Sequence, residues 1–233
     1  MSKLTAGTYE KYNAKYSTLT LTDGEYALTV TPEKGGMATS FTKSGEEYLW
    51  LRDKNYESSD RPRCGVPILF PSCGKPDGGV HHFNGSDYPI EVHGFADLLP
   101  WQVKTAADDE IVLTLTPNGL TKFVYPFDFL LEMRYTLSGA KAGLELTVHN
   151  TSDKALPFSI GFHLQGFQAG ECGLRYQVRH LFRERQGRAA RRTGNHHLDP
   201  QGRLRRFHPP DDRRKEPDAP DRFRQRPHGG SCL

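Results

Sequence analysis

Alternating apolar and polar positions dominate the first 160 residues and predict β-strands joined by tight turns. The run STLTLTDGEYALTV has two alternating halves around Asp23–Gly24, a dipeptide typical of two-residue hairpin loops. The same arrangement recurs around Ser44–Gly45, around Asn84–Gly85, across the acidic turn of WQVKTAADDEIVLTLTP and around Gly139 to Gly143. No window of 12 or more residues keeps a helical stripe. The pattern therefore predicts an all-β protein, built as an antiparallel sandwich or barrel.

The strand pattern stops after about Gly173. Residues 175–233 contain no Ile, Met or Trp, and 15 of the 19 arginines follow Leu174. Residues 1–174 hold 15 basic and 21 acidic side chains, whereas residues 175–233 hold 16 basic and 7 acidic ones. This predicts a partial domain over 1–173 and a disordered, low-complexity basic tail over 174–233. Our hypothesis for the tail is translation in a wrong reading frame, because GC-rich DNA read out of frame yields such Arg/Pro-rich sequence.

Other general features set the expected compartment. No stretch approaches the ~20 apolar residues of a membrane-spanning helix, and no apolar secretory signal stands at the start of the chain. The four cysteines form no C-x-x-C pair, and no spacing typical of a zinc site is present. We therefore expect a cytoplasmic protein with reduced thiols, no membrane association and no bound metal.

The first of three stretches that carry candidate chemistry is RPRCGVPILFPSCGK, from Arg61 to Lys75. It has an apolar run between two prolines, with basic and small residues on both sides. On pattern alone it is either a buried edge strand or a pocket wall with Arg63 at its lip. The planar guanidinium group suits a site that holds hydroxyls, carboxylates or phosphate.

The two other stretches each place a histidine where a strand meets a turn. EVHGFADLLPW has His93 directly before a glycine, where backbone and ligand approach closely, and SIGFHLQGF has His163 after an apolar strand. Histidine exchanges a proton near neutral pH, although a single histidine in such a position is more often structural than catalytic. Trp101 offers a flat face for packing or for stacking on a sugar ring.

Together these stretches resemble the aldose 1-epimerase (mutarotase) family, and within it the bacterial branch near the glucose-6-phosphate 1-epimerases. The matching segments are RCGVPILFPSCG, HGFADLLPW and YPFDFLLEMRYTLSGAKAGLELTVHNTSDKALPFSIGFH, in the family's order and spacing. The resemblance covers roughly Tyr16 to Phe167. It implies a galactose mutarotase-like antiparallel β-sandwich that is C-terminally incomplete in this chain.

The resemblance also implies a reaction and a role for three residues. The family interconverts the α and β anomers of an aldose by general acid–base ring opening and closure, without a metal or nucleotide cofactor. His163 matches the histidine of the G-F-H-P motif, which protonates the ring oxygen. His93 matches the histidine of H-G-F-A, which binds the sugar and supports the same proton transfer. Arg63 matches the arginine of the R-G-G-I-P stretch, a substrate contact.

This chain departs from the family pattern at two important places. Where the branch usually reads H-G-F-A-R, Asp97 stands in place of the arginine. An anion there is expected to repel a phosphate dianion, so the expected partner is an unphosphorylated monosaccharide. The family continues through further strands to a catalytic glutamate, but neither Glu184 nor Glu216 lies in a matching context. No residue is assigned as the base.

Two alternatives to an enzyme stay open. The missing base favours a non-catalytic carbohydrate-binding protein on the same fold. The basic tail favours nucleic-acid binding, because neutralising phosphates drives non-specific association. Acidic residues among the arginines, few aromatic residues and no recognised nucleic-acid module make this second alternative the weaker one.

Overall fold

The computed structural model describes residues 1–11, 14–50, 61–164, 175–182, 190–198 and 204–206. The chain divides into two compact units, Met1–Gly170 and Glu171–Leu233. The strands of the first unit are, in chain order, β1 (Lys3–Lys11), β2 (Ala14–Asp23), β3 (Tyr26–Thr31), β4 (Met37–Lys43), β5 (Glu46–Glu47), β6 (Ile68–Leu69), β7 (Val80–Phe83), β8 (Ser86–Pro89), β9 (Gln102–Ala107), β10 (Glu110–Leu115), β11 (Phe129–Ser138), β12 (Lys141–Asn150) and β13 (Gly161–Phe162).

Two antiparallel sheets form the body of the first unit. Strands β1 to β5 pair in chain order, and the second sheet has the order β12-β11-β10-β9. Two smaller sheets are the hairpin of β7 with β8 and the pairing of β6 with β13. The second pairing is long-range, because more than 90 residues of chain separate Leu69 from its partner Gly161.

Among the described residues, five hairpins close with two-residue loops at or within one residue of the positions that the sequence predicts. Ser44 and Gly45 have φ of 49° and 85°, and Asn84 and Gly85 have φ of 52° and 77°. Two consecutive positive φ values match the right-handed twist of the flanking strands, which is why Gly and Asn are favoured there. The residue pairs that bracket the five loops are Asp23 and Tyr26, Lys43 and Glu46, Phe83 and Ser86, Ala107 and Glu110, and Ser138 and Lys141.

The larger of two hydrophobic clusters in the described residues lies between the two large sheets. Along β11 every second residue from Phe129 to Leu137 is buried, as a strand with one face on a core requires. These side chains share one cluster with Leu21, Leu28 and Val30 of the first sheet. The all-β antiparallel sandwich that the sequence predicts is therefore confirmed.

Polar contacts join the two sheets at their ends and in the core. The Gly139 N–H donates to Oδ2 of Asp23 at 2.8 Å, and the Leu4 N–H donates to Oδ1 of Asp108 at 2.8 Å. In the core, the fully buried Tyr135 donates its hydroxyl to the carbonyl oxygen of Gly36 at 2.5 Å. The core thus contains a satisfied polar pair, which fixes β11 against the loop before β4.

One short helix, α1 (Gly119–Val124), is absent from the sequence prediction. Asn118 begins it, because its side chain accepts from the Thr121 N–H while the Thr121 hydroxyl accepts from the Asn118 N–H. At six residues it is too short to show a periodic stripe. In the described part of the chain, no helix has the length and apolar character needed to cross a membrane.

The second unit contains three backbone strands within the range that the sequence predicts to be disordered. They are β14 (Arg175–Phe182), β15 (Ala190–Leu198) and β16 (Leu204–Arg206), and they form one antiparallel sheet. In β14 the alternation of Tyr176 and Val178 with polar residues is compatible with a strand. The rest of 174–233 lies outside the described residues, and the disordered, out-of-frame tail stays a prediction there.

Replacing Tyr135 by Phe tests the buried hydroxyl. It leaves the Gly36 carbonyl without its donor, so the free energy of unfolding should fall by about 1–3 kcal/mol. Urea denaturation followed by tryptophan fluorescence measures this change. Tyr88→Phe, on the half-buried face of β8, is the control, with an expected change within about 0.5 kcal/mol. Equal effects of the two substitutions would contradict the buried hydrogen bond.

Candidate active site

The backbone from Pro67 to Gly74 belongs to the first stretch that the sequence singles out, and its hydrogen bonds hold the other two stretches next to it. On one side, β6 within this segment pairs with β13, and the carbonyl oxygen of Pro67 accepts from the His163 N–H at 3.0 Å. The carbonyl oxygen of Pro71 accepts from the Ser159 N–H at 2.9 Å. This side of the segment therefore holds the strand that ends at His163.

The other side of the same segment holds the turn that carries His93. The carbonyl oxygen of Phe70 accepts from the N–H groups of Phe95 and Ala96, at 2.9 and 3.3 Å. The His93 N–H donates to the carbonyl oxygen of Gly74 at 3.2 Å. Residues far apart in the sequence are thus placed on opposite sides of one extended segment.

His93 is half-buried and its ring orientation is fixed. Its Nδ1 lies 3.0 Å from the carbonyl oxygen of Cys73. A carbonyl oxygen only accepts, so Nδ1 carries the hydrogen, and in the neutral ring Nε2 is the acceptor. The backbone bends sharply here, because His93 and Gly94 have φ of 69° and 73°.

The structure brings His163 next to His93. The ring centroids lie 5.5 Å apart, with the ring planes at 64°. His163 is exposed, yet partial burial lowers the pKa of its imidazole below the ordinary 6.5, and the neighbouring His93 lowers it further. Two imidazoles at this distance disfavour a positive charge on both rings at the same time.

The structure does not join Arg63 to the histidines. Its side chain is exposed, and among the described residues no hydrogen bond or ion pair links it to His93 or His163. Its role as a substrate contact stays a prediction. The arginine that reaches the histidine turn is Arg61, which pairs with Asp97 through Nη1 and donates through Nη2 to the carbonyl oxygen of Gly94 at 2.7 Å.

The surroundings of Asp97 do not support the expected repulsion between its carboxylate and a phosphate group. Its side chain is only 1% exposed and pairs with Arg61, which is 17% exposed. Burial raises the pKa of the Asp97 carboxyl above its usual range, against the opposing effect of the Arg61 guanidinium. The sequence signal that could have suggested this pair is an arginine at the start of the first candidate stretch and an aspartate inside the second.

Cys73 and Trp101 have structural surroundings. The Cys73 N–H donates to the Ser159 hydroxyl at 2.8 Å, and burial raises the pKa of the Cys73 thiol, which disfavours a reactive thiolate. Trp101 is buried and donates its indole N–H to the carbonyl oxygen of Ala96 at 2.9 Å, so of its two predicted roles it takes packing. No group of three or more potential metal ligands is assembled in the described residues.

Gly94→Ala tests how closely the turn that carries His93 approaches the Pro67–Gly74 segment. A Cβ at Gly94 would lie 2.2 Å from the carbonyl oxygen of Phe70. We expect a loss of about 3 kcal/mol or more in the free energy of unfolding, because backbone atoms would have to move. Gly45→Ala is the matched control: φ is also positive there but the space is open, so only about 1–2 kcal/mol should be lost. Equal losses would show that the turn and the segment are not in contact.

His93→Gln tests the contact between the two imidazoles. The pKa of His163 should rise part of the way towards 6.5, because the repulsion from His93 disappears while most of the burial remains. An NMR titration of the His163 ring protons measures this shift. His149→Gln, at an exposed position of β12, is the control and should leave the pKa of His163 unchanged. No shift in the His93 variant would contradict the observed contact.

Comparisons with known proteins place this arrangement in a family. The model of the family Aldose 1-epimerase matches residues 17–165. The chromosomal protein LacX of Lactococcus lactis subsp. lactis is 30% identical over 146 residues, which are 60% of this chain and 47% of LacX. The chain thus spans about half the length of the curated relatives it matches.

Solved structures share the fold. A galactose mutarotase-like protein from Lactobacillus casei ATCC 334 is 28% identical with a TM-score of 0.57, over 63% of this chain and 49% of that one. A protein from Synechocystis sp. PCC 6803 is also 28% identical with a TM-score of 0.64, over 85% of this chain and 67% of that one. The matched residues include both candidate histidines and the segment between them, and the chain belongs to the aldose 1-epimerase family.

Proposed function

We propose that this protein binds an aldose and interconverts its α and β anomers, with His163 and His93 as catalytic residues. The observation that carries the proposal is the 5.5 Å approach of the two imidazole rings. The sequence analysis selects both histidines independently of this geometry. Membership of the aldose 1-epimerase family supports the same reaction class.

His163 is proposed as the acid that protonates the ring oxygen of the sugar. Its exposed side chain is accessible to a ligand, and its lowered pKa makes the imidazolium form a stronger acid than an ordinary histidine. His93 is proposed to bind the sugar and support that transfer through Nε2. Its Nδ1 hydrogen is already engaged by the Cys73 carbonyl oxygen, which supports this division of roles.

The proposed reaction moves two protons and breaks one bond. A base takes the proton of the anomeric hydroxyl while His163 gives a proton to the ring oxygen, and the bond between C1 and that oxygen breaks. The open-chain aldehyde rotates about C1–C2, and closure on its other face returns both protons. A positioned acid or base typically contributes about 10²–10⁴-fold to the rate. The base is unassigned, because neither Glu184 nor Glu216 lies in the family's sequence context for it, and both lie outside the described residues.

The proposed ligand is an unphosphorylated aldose, with Arg63 as a hydroxyl contact. Burial of Asp97 removes one reason for this choice, namely repulsion of a phosphate by that carboxylate. The remaining support is that Arg63 is the single cation assigned to substrate contact. The proposed compartment is the cytoplasm, supported by Cys73, which forms no disulfide bond among the described residues.

The second candidate function is carbohydrate binding without catalysis. The observation in its favour is that neither Glu184 nor Glu216 lies in the family's sequence context for the catalytic base. On this proposal the two histidines bind sugar hydroxyls and the anomers exchange no faster than in water. Binding and turnover are therefore measured separately.

Mutarotation of freshly dissolved α-D-glucose, followed by polarimetry, tests the proposed function. We expect a rate above that of buffer, which His163→Ala reduces by about 10²-fold or more while sugar binding by calorimetry persists. His149→Ala, at an exposed position of β12, is the control and should keep the full rate. Glucose 6-phosphate, in a parallel assay by NMR exchange, tests the choice of ligand.

Sugar binding without any rate above buffer would overturn the enzyme and favour the binding protein. The absence of both sugar binding and turnover would overturn both candidate functions. Faster exchange of glucose 6-phosphate than of glucose would contradict the unphosphorylated ligand.

A further inference from the structure

We infer that Arg61 and Asp97 form a positioning pair that holds the His93 turn and thereby fixes the His93 imidazole. The pair is unusual because one guanidinium serves two acceptors on the same turn. Nη1 pairs with Oδ1 of Asp97, and Nη2 donates to the carbonyl oxygen of Gly94 at 2.7 Å. Its consequence for catalysis or sugar binding rests on the proposed function, but its effect on His93 does not.

The His93 turn needs an external restraint. The φ of His93 is 69°, in the left-handed region that residues other than glycine adopt uncommonly, although histidine, like Asn and Asp, is found there more often than most. Such a conformation persists only where surrounding contacts determine it. From one side the restraint comes from Gly74 and Cys73, which accept from the backbone N–H and from Nδ1 of His93. From the other side it comes from Arg61 at the next carbonyl along the turn.

Asp97 holds Arg61 in place. The backbone of Asp97 is fixed by close contact with the loop between β3 and β4, because a Cβ added at Gly35 in that loop would lie 2.4 Å from the Asp97 carbonyl oxygen. Its side chain is 1% exposed, and Oδ2 is buried without a hydrogen-bond partner among the described residues. Burying a carboxylate with an unsatisfied oxygen costs free energy of folding, so stability alone does not explain this residue. Its direct effect is to orient the Arg61 fork towards Gly94.

The consequence of this restraint is a single tautomer of His93. With the turn in place, Nδ1 lies within hydrogen-bond distance of the Cys73 carbonyl oxygen and Nε2 is the remaining acceptor of the neutral ring. If the turn relaxes, the Nδ1 contact lengthens and the preference for this tautomer is lost. Arg61 therefore acts through His93, without being assigned a contact with the sugar.

The test is NMR of the full chain labelled with ¹⁵N-histidine, in which the imidazole nitrogen shifts report the tautomer. His93→Gln identifies the His93 signals by their disappearance. The unmodified chain should show His93 as the Nδ1–H tautomer. Arg61→Met should abolish this preference, and Arg61→Lys should weaken it because a single ammonium group does not reproduce the two-pronged fork. Asp97→Asn should largely retain it, since an amide oxygen still accepts from Nη1.

Two further variants separate positioning from folding. Arg61→Met combined with Asp97→Leu removes the ion pair without leaving an unpaired buried charge, so it should recover much of the thermal stability that Arg61→Met alone loses. It should not recover the His93 tautomer. Arg134→Met makes the same chemical change in the ion pair with Glu110 between β11 and β10, and should leave the His93 signals unchanged.

Sugar affinity is the second readout. In the double variant the dissociation constant for an aldose should rise by about tenfold, the effect of losing about one hydrogen bond. A folded double variant with the Nδ1–H tautomer of the unmodified chain overturns the inference and assigns the pair to stability alone. If the unmodified chain binds no aldose, the proposed function fails, whereas the tautomer comparison still decides the role of Arg61 and Asp97.

Discussion

The backbone hydrogen bonds of the Pro67–Gly74 segment are the constraint on which the rest of the site depends. A strand offers polar groups on two edges, and this segment uses one edge for the strand that ends at His163 and the other for the turn that begins at His93. The segment is itself anchored in the core, because Ile68 and Phe70 are fully buried. The ring of Phe70 lies 5.0 Å from that of Phe129 on β11. The sandwich therefore fixes the segment, and the segment fixes both histidines.

The turns and strands were predictable because their determinants are local. The loop at Asn84–Gly85 needs positive φ at two successive residues, and the sequence supplies two residues that tolerate it. The alternation along β11 needs only its own residues to specify which face is buried. The helix α1 was missed because a capping box at Asn118 determines it, over a length too short for periodicity.

The candidate site was predictable only in part, because its contacts join residues far apart in the chain. The sequence places His93 and His163 at strand ends, but their separation depends on the pairing of β6 with β13. The sequence analysis treats Asp97 as a charge that would repel a phosphate group, whereas its environment is set by Arg61, 36 residues earlier. A charged side chain in a sequence does not reveal its partner, and the partner determines whether the charge faces the solvent.

Chemically, the two histidines differ in a way that bears on the proposed mechanism. The Nδ1 hydrogen of His93 is committed to a backbone carbonyl, so this ring is oriented and has one nitrogen available for a ligand. His163 is exposed, and repulsion from His93 is one of the causes that lower its pKa. A proton held less tightly at an exposed ring is easier to transfer, while an oriented neighbour limits where it goes. This asymmetry follows from the different backbone groups of the Pro67–Gly74 segment that each histidine contacts. It supports the proposed division of roles, with His163 as proton donor and His93 as sugar contact.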